Sequence, residues 1–191
     1  MRDFYFRCMS AIEHQQNLEP ESEEAVGFRD QPICLRALRT EDRLLLEDLA
    51  RRTGSDDLRM RFFTGFQSLP PRLLNELMRI DPKRRITLVA SRATSRGQPE
   101  MLAIAHAHTS AKGEAELALL VRSDLKGMGL GSLLLETLVA RCRRRGLKVL
   151  VADVLQENTR MLRLAEKHGF RSESAELGTT RLVLRLDSLA A

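Results

Sequence analysis

The 191-residue sequence is poor in cysteine, in aromatic residues and in long apolar runs. Its three cysteines (Cys8, Cys34 and Cys142) are odd in number and have no short spacing, which argues against a disulfide scaffold and a cysteine-based zinc site. Aromatic residues make up only 4% of the chain, so side chains on which nucleic-acid bases stack are scarce. No apolar stretch approaches the roughly 18 residues that cross a bilayer. These absences predict a protein of the reducing cytoplasm that binds neither membrane nor nucleic acid.

Charge and length set the next limits. Lys and Arg number 31 against 26 Asp and Glu, which gives a formal net charge of +5. Nucleic-acid binding would rest on this charge alone, so a solvated basic surface is the simpler interpretation. The length predicts one domain with a short appendage. Residues 1–31 form the predicted N-terminal appendage, because residues 19–24 (EPESEE) are acidic and contain proline like a linker, and residues 32–191 form the predicted domain.

From residue 32 onward the hydrophobic pattern alternates between strands and helices. Predicted strands lie at residues 33–38, 85–93, 101–109, 114–121, 149–155 and 181–186. Predicted helices lie at residues 41–52, 68–79, 130–145 and 159–168. The three strands between residues 85 and 121 are separated by short turns, which predicts an antiparallel meander. The chain is therefore predicted to be an α/β protein with a mixed, mostly antiparallel, twisted sheet and helices on both faces.

The most informative segment is residues 126–131 (KGMGLG), between a predicted strand and an amphipathic helix. Glycine lets the backbone approach an anion closely, and the unpaired N–H groups at the start of a helix then bind it. A P-loop is excluded because no lysine follows Gly131. A dinucleotide fingerprint is disfavoured, although Asp153 lies about 20 residues on, because Ser132 occupies the place of its third glycine. A loop for the pyrophosphate of acetyl-CoA stays open, and so does a helix start that merely needs flexible residues.

That loop resembles the one of the GNAT acyltransferases, in which Gln or Arg is followed by two residues, Gly, one residue, and Gly or Ala. Gly129 and Gly131 fill the two small positions, and Lys126 replaces the usual Gln or Arg. The segments LALLVRSDLKGMGLGSLLLETL, VLQENTRMLRLAEKHGF and SDDLRMRFF are similar to the acetyltransferase domain of Pat-type protein lysine acetyltransferases. The resemblance covers about residues 32–187. It implies a GNAT fold and acetyl-CoA as co-substrate.

The resemblance also implies which residues hold acetyl-CoA. The N–H groups of residues 127–132 hold the pyrophosphate, and the end of the preceding strand pairs through its backbone with the pantetheine arm. Asn158 matches the family position whose side chain contacts the cofactor, although asparagine here also favours a helix N-cap. The predicted cofactor-binding residues are Leu119, Val121, Lys126, Gly127, Met128, Gly129, Leu130, Gly131, Ser132 and Asn158.

Acetyl transfer to lysine needs a base, because an amine with a pKa of about 10.4 is almost fully protonated at pH 7. Glu116 opens the strand that leads into the glycine loop, and it matches the catalytic glutamate of Pat enzymes. Glu114 and Asp124 are weaker alternatives with the character of solvated turn charges. Many GNAT enzymes protonate the leaving thiolate with a tyrosine, but Ala165 stands at that position. The chain's one tyrosine, Tyr5, lies in the predicted appendage, so the thiolate is expected to leave unassisted or with a proton from water.

His106 and His108 alternate on one predicted strand, but no third metal ligand lies nearby in the sequence, so no metal is predicted. The predicted activity is direct acetyl transfer from acetyl-CoA to lysine ε-amines of a protein. Acyl-CoA synthetases are acceptors by analogy with Pat enzymes alone. The alternatives are a small-molecule amine N-acetyltransferase and a CoA-binding regulatory module without turnover. Monomer and homodimer both stay open.

Overall fold

Eight β-strands form one sheet in the computed structural model, which describes residues 23–29, 31–110, 114–176 and 178–186. The strands are β1 (Glu24–Phe28), β2 (Gln31–Ala37), β3 (Arg85–Ala93), β4 (Pro99–Thr109), β5 (Ala115–Val121), β6 (Val149–Leu155), β7 (Arg171–Glu176) and β8 (Thr179–Arg185). Their order across the sheet is β1-β2-β3-β4-β5-β6-β8-β7. All neighbours run antiparallel except β5 and β6, which run parallel. The predicted mixed, mostly antiparallel sheet is confirmed.

The described part of the chain contains five α-helices, which cover both faces of this sheet. They are α1 (Arg43–Arg51), α2 (Ser55–Phe62), α3 (Pro71–Leu77), α4 (Leu130–Arg144) and α5 (Thr159–Lys167). Helices α4 and α5 cover one face through a core that includes Leu134 and Ala165. Helices α1, α2 and α3 cover the other face through a second core that includes Leu46 and Leu58. None of these helices is long and apolar enough to cross a membrane.

The sequence does not predict three of these elements, namely β1, α2 and β7. Helix α2 has the sequence SDDLRMRF, of which only Leu58 is buried, so it lacks the apolar stripe that indicates a helix. Strand β7 (RSESAE) is polar and forms one edge of the sheet. Strand β1 lies in the segment assigned above to the appendage, and it forms the other edge, with Val26 and Phe28 packed against the main core. Residues 1–22 and Asp30 of that segment lie outside the described residues.

The parallel pairing of β5 with β6 is short. It joins Ala115 to Leu150 and Glu116 to Val151, and it contains no further pair toward the end of β5. On its other side β5 stays paired with β4 as far as Val121. The second half of β5 therefore turns one backbone edge toward the space between β5 and β6. The glycine loop follows directly, so the fold places this edge and the loop side by side.

Candidate active site

Residues 126–132, which we call the phosphate loop, connect the end of β5 to helix α4. Gly127 and Gly129 adopt positive φ angles of 74° and 95°, a conformation that favours glycine. A Cβ atom built on either residue would meet no heavy atom within 4 Å, so the space above both is open. Gly129 is also the N-cap of α4. The loop therefore exposes backbone that an anion can approach without meeting a side chain.

Gly131 is small for a different reason. A Cβ atom there would lie 3.4 Å from Leu164 Cδ2 and 3.5 Å from Leu119 Cδ2, so the first turn of α4 packs closely on α5 and β5. The first N–H groups of an α-helix have no acceptor within the helix and carry its positive dipole end. Close packing fixes the direction of those N–H groups beside the open glycines. This arrangement fits a pyrophosphate group.

Ser132 and Lys126, both predicted to contact the cofactor, have protein partners in the structure. Ser132 Oγ lies 2.7 Å from His168 Nε2 at the end of α5. Lys126 forms an ion pair with Asp57 of α2. Asp57 also accepts a 2.5 Å hydrogen bond from the Ser123 hydroxyl, which in turn accepts one from the Gly54 N–H at 2.7 Å. These contacts join the start of helix α2 to Ser123, which lies between β5 and the phosphate loop, and to Lys126, the first residue of that loop.

A largely buried ionic cluster lies at the end of β5, where the chain continues into the phosphate loop. Glu100 of β4 accepts hydrogen bonds from Arg52, Arg92 and Arg122, and Arg122 directly follows β5. Burial alone would raise the pKa of Glu100, but the hydrogen bonds from Arg92, Arg122 and Arg52 outweigh it and lower the pKa to about 2. Arg122 is only 2% exposed and also binds Asp124 at 2.6 Å. The cluster therefore anchors the chain where it leaves the sheet for the loop.

The remaining predicted cofactor residues are largely buried or locally engaged. The side chains of Leu119, Val121 and Met128 pack against the core beneath α4, and Leu130 is fully buried, so these residues have mainly backbone to offer a ligand. Asn158 caps α5, because its Oδ1 accepts a 3.2 Å hydrogen bond from the Met161 N–H. That cap leaves the side-chain NH₂ group available as a donor. Cap and cofactor contact are compatible for this residue.

Glu116 lies on the opposite face of β5 from that core. Its side chain is exposed and shares its face with Ala118 and Leu120. In the sheet it stands between His108 of β4 and Val151 of β6, at the last residue pair before β5 and β6 cease to pair. We call this side, with the residues of β3 to β8 that share it and those of α2 and α3 that pack on it, the acceptor face.

Two arginines of the acceptor face, Arg61 and Arg85, are not indicated by any pattern in the sequence. Arg61 of α2 donates a 3.3 Å hydrogen bond to His106 Nε2. Burial lowers the pKa of Arg61 to about 10, while the Glu116 carboxylate acts in the opposite direction. Arg85 of β3 binds Glu76 of α3 at 2.6 Å. Burial, and then the charges of Arg61, Arg85 and His108, hold the pKa of His106 well below its usual range, so its imidazole is neutral and accepts at Nε2.

The alternative bases named above are engaged with arginines. Glu114 binds Arg181 at 2.7 Å, and Arg181 also lies 3.8 Å from Asp153. Asp124 binds Arg122, whose hydrogen bond lowers the pKa of this carboxyl. Within the described residues, no three His, Cys, Asp or Glu side chains are grouped as a metal site. Ala165, at the position of the family's tyrosine, is fully buried, and Tyr5 lies outside the described residues.

Known proteins are similar to this chain in both sequence and fold. The model of the acetyltransferase (GNAT) family matches residues 56–170, more than half of the chain. Acetyltransferase PA5475 of Pseudomonas aeruginosa is 26% identical over 154 residues, which cover 81% of this chain and 83% of that protein.

Two solved structures illustrate the structural agreement. The GNAT domain of S. lividans PAT has a TM-score of 0.76 at 27% identity, and the match covers 85% of this chain and 96% of that one. The yncA protein of Salmonella typhimurium, solved with its cofactor acetyl-CoA, has a TM-score of 0.60 at 20% identity, covering 83% and 96%. At 20% identity, the similarity to the yncA protein is evidence for the fold alone. The chain therefore belongs to the GNAT acetyltransferase family and is an acyltransferase that uses acetyl-CoA as its co-substrate.

Proposed function

We propose that the chain acetylates lysine ε-amines of a protein acceptor in the cytoplasm, with Glu116 as the general base. The observation that carries the proposal is the position of Glu116. Its exposed carboxylate lies where β5 and β6 cease to pair, three residues before the Leu119 backbone assigned to the pantetheine arm. A base placed there serves an amine that reaches the thioester from the acceptor face.

The chemistry requires two proton movements and one bond exchange. The acceptor arrives as an ammonium ion, and Glu116 takes its first proton and passes it to water. The amine nitrogen then attacks the thioester carbon, so that a C–N bond forms and the C–S bond breaks. The second proton of the nitrogen reaches the CoA sulfur through water, since Ala165 offers no acid. The products are an amide, CoA with a free thiol and one proton.

The charges around Glu116 support a cationic side chain as acceptor. Glu114 and Asp153 lie on the same face with one shared arginine partner, Arg181. Together with Glu116 they leave an excess of negative charge along the rim toward β6 and β8, which attracts a lysine-bearing segment. The similarity to Pat-type domains supports a protein acceptor and makes acyl-CoA synthetases the first proteins to test. A small-molecule amine is the competing acceptor.

Labelled acetyl-CoA distinguishes the two. The full chain is incubated with an acyl-CoA synthetase, with poly-L-lysine and, separately, with polyamines and free amino acids. We expect label in protein, located on lysines by mass spectrometry, and loss of that label with Glu116→Gln. The variant also corrects for spontaneous acetylation, because it retains the acetyl-CoA site.

Label confined to the polyamines or amino acids would replace the lysine proposal with the small-molecule activity. Tight acetyl-CoA binding without transfer to any acceptor or to water would instead favour a regulatory CoA-binding module. Comparing acetyl-lysines across the proteome with and without the chain then identifies the acceptor.

A further inference from the structure

Helix α2 places a guanidinium group close to the proposed base. Arg61 is held from two sides, by His106 Nε2 at 3.3 Å and by the ring of Phe62, whose centroid lies 4.8 Å from Arg61 Cζ. Neither partner carries a negative charge. Among the described residues Arg61 forms no ion pair with a carboxylate, although its side chain is partly buried.

The carboxylate whose charge acts on Arg61 is that of Glu116. Burial lowers the pKa of Arg61 to about 10, the charge of Glu116 raises it, and that of Arg85 lowers it again. Arg61 therefore remains a cation at neutral pH. The strand register agrees with this proximity, because His106 stands opposite Ala118, two residues along β5 from Glu116 on the same face.

We propose that Arg61 is a positioning residue for acetyl transfer, whose fixed positive charge beside Glu116 makes the bound acceptor amine lose its proton more readily. A nearby cation disfavours a second cation, so the ammonium form of the acceptor is destabilised where it must be deprotonated. The proton to be removed is held either by the acceptor amine or by the Glu116 carboxylate. In both cases the positive charge of Arg61 lowers the pH at which the complex of enzyme, acetyl-CoA and acceptor loses that proton. The inference rests on the proposed function, since it assumes an amine acceptor at Glu116.

The other charged and titratable groups of the acceptor face are distributed around this pair. They are Arg85 of β3 with Glu76 of α3, His106 and His108 of β4, Glu114 before β5, Asp153 of β6 and Arg181 of β8. Arg85 is neutralised by Glu76, and Arg181 by Glu114. Arg61 is therefore the cation of this group whose charge acts most directly on the acceptor amine.

The test is the pH dependence of kcat, measured with saturating acetyl-CoA and poly-L-lysine as the acceptor. We expect Arg61→Gln to move the acid limb of the profile upward by about one pH unit, with kcat lowered about tenfold at pH 7 and equal to wild type at high pH. Arg61→Lys keeps the charge and should restore most of the wild-type profile. The KM for acetyl-CoA should stay within about twofold in both, since the cofactor is held elsewhere. Arg51→Gln makes the same change at an exposed site on α1 and should leave the profile unshifted.

A uniform loss of kcat at every pH in both Arg61 variants would show that Arg61 only supports the structure, and would overturn the proposal. Should Arg61→Gln not fold, as judged by circular dichroism, His106→Phe removes the hydrogen bond that holds Arg61 and His106→Gln retains an acceptor for it. The Phe variant should then shift the profile in the same direction and the Gln variant should not. The proposed base is tested separately by Glu116→Gln, which keeps kcat at pH 7 if that proposal is wrong, whatever Arg61 does.

Discussion

The phosphate loop and the acceptor face are built from different groups. The loop presents backbone: two glycines with positive φ and the first N–H groups of α4. The acceptor face presents side chains that come from separate elements, with Arg61 on α2, His106 on β4 and Glu116 on β5. The loop, which is the proposed site for the pyrophosphate of acetyl-CoA, is one continuous segment of the chain. The acceptor face is assembled by the tertiary fold from elements that are distant in the sequence.

The two regions should therefore fail differently when they are altered. Changes in the loop should weaken acetyl-CoA binding and leave the chemistry of the bound complex intact. Changes on the acceptor face should slow transfer and leave acetyl-CoA affinity intact.

The largest effect is expected on the acceptor face. Glu116→Gln keeps the size of the side chain but cannot accept a proton, so kcat should fall by roughly 10²–10⁴. Acetyl-CoA affinity, measured by calorimetry, should change little, and raising the pH should partly restore the rate because more acceptor amine is then neutral. Wild-type kcat at pH 7 would eliminate Glu116 as the base. A variant that loses acetyl-CoA binding would show that Glu116 supports its strand.

The sequence predicts the secondary structure around the phosphate loop well, but it does not predict the side-chain contacts of the acceptor face. The bounds of β3 and β6 and the start of α4 at Leu130 agree with the structure, because glycine placement and the apolar pattern within each segment indicate them. The contact of Arg61 with His106 joins residues 45 positions apart, and that of Asp57 with Ser123 joins residues 66 apart. Both begin on α2, a short polar helix whose pattern does not indicate where it packs. Such contacts depend on the folded arrangement and have no local signal.

In the phosphate loop, a charge at Gly129 tests the anion site. Gly129→Asp places a carboxylate in the open space above the loop, and we expect acetyl-CoA affinity to fall about a hundredfold because like charges in contact cost several kcal/mol. Gly129→Asn is the matched control, since both residues tolerate a positive φ and only one is charged. Calorimetry should show a much smaller loss for Asn. Equal losses of acetyl-CoA affinity in the two variants would mean that backbone strain at residue 129, and not the added charge, causes the loss.

Below the loop, Glu100→Gln should destabilise the fold by about 3 kcal/mol, because it removes the buried carboxylate that Arg52, Arg92 and Arg122 share. The pKa of Glu100 is about 2 in the folded chain against an ordinary 4.5, so the ionised carboxylate stabilises the fold above about pH 4.5, and this contribution disappears as the pH falls toward 2. The difference in free energy of unfolding between wild type and variant should therefore be constant near neutral pH and shrink in acid. Denaturant titrations from pH 7 down to pH 3 measure it. A constant difference throughout would assign the effect to packing.

The smallest effect concerns Asp57, through which α2 connects the two regions. Asp57 holds Lys126 in an ion pair. We therefore expect Asp57 to compete with the pyrophosphate for this lysine. Asp57→Asn keeps an acceptor for the Ser123 hydroxyl but removes the negative charge that holds Lys126. A partly exposed pair of this kind contributes about 0.5–1 kcal/mol, so acetyl-CoA affinity should rise about two- to fivefold. The gain should diminish at high salt, because salt screens both competing interactions.

Asp56→Asn is the control for Asp57→Asn, since it removes the same charge from the neighbouring position of α2, where Asp56 is exposed and has no ion pair among the described residues. If competition for Lys126 is the cause, Asp56→Asn should leave the affinity nearly unchanged. In a chain that already carries Lys126→Gln, the further change Asp57→Asn should have no effect on affinity, because no lysine remains to be released. An Asp57→Asn variant that binds acetyl-CoA more weakly would contradict the competition. It would show instead that the ion pair holds Lys126 in place for the phosphate, and that α2 takes part in both regions of the site.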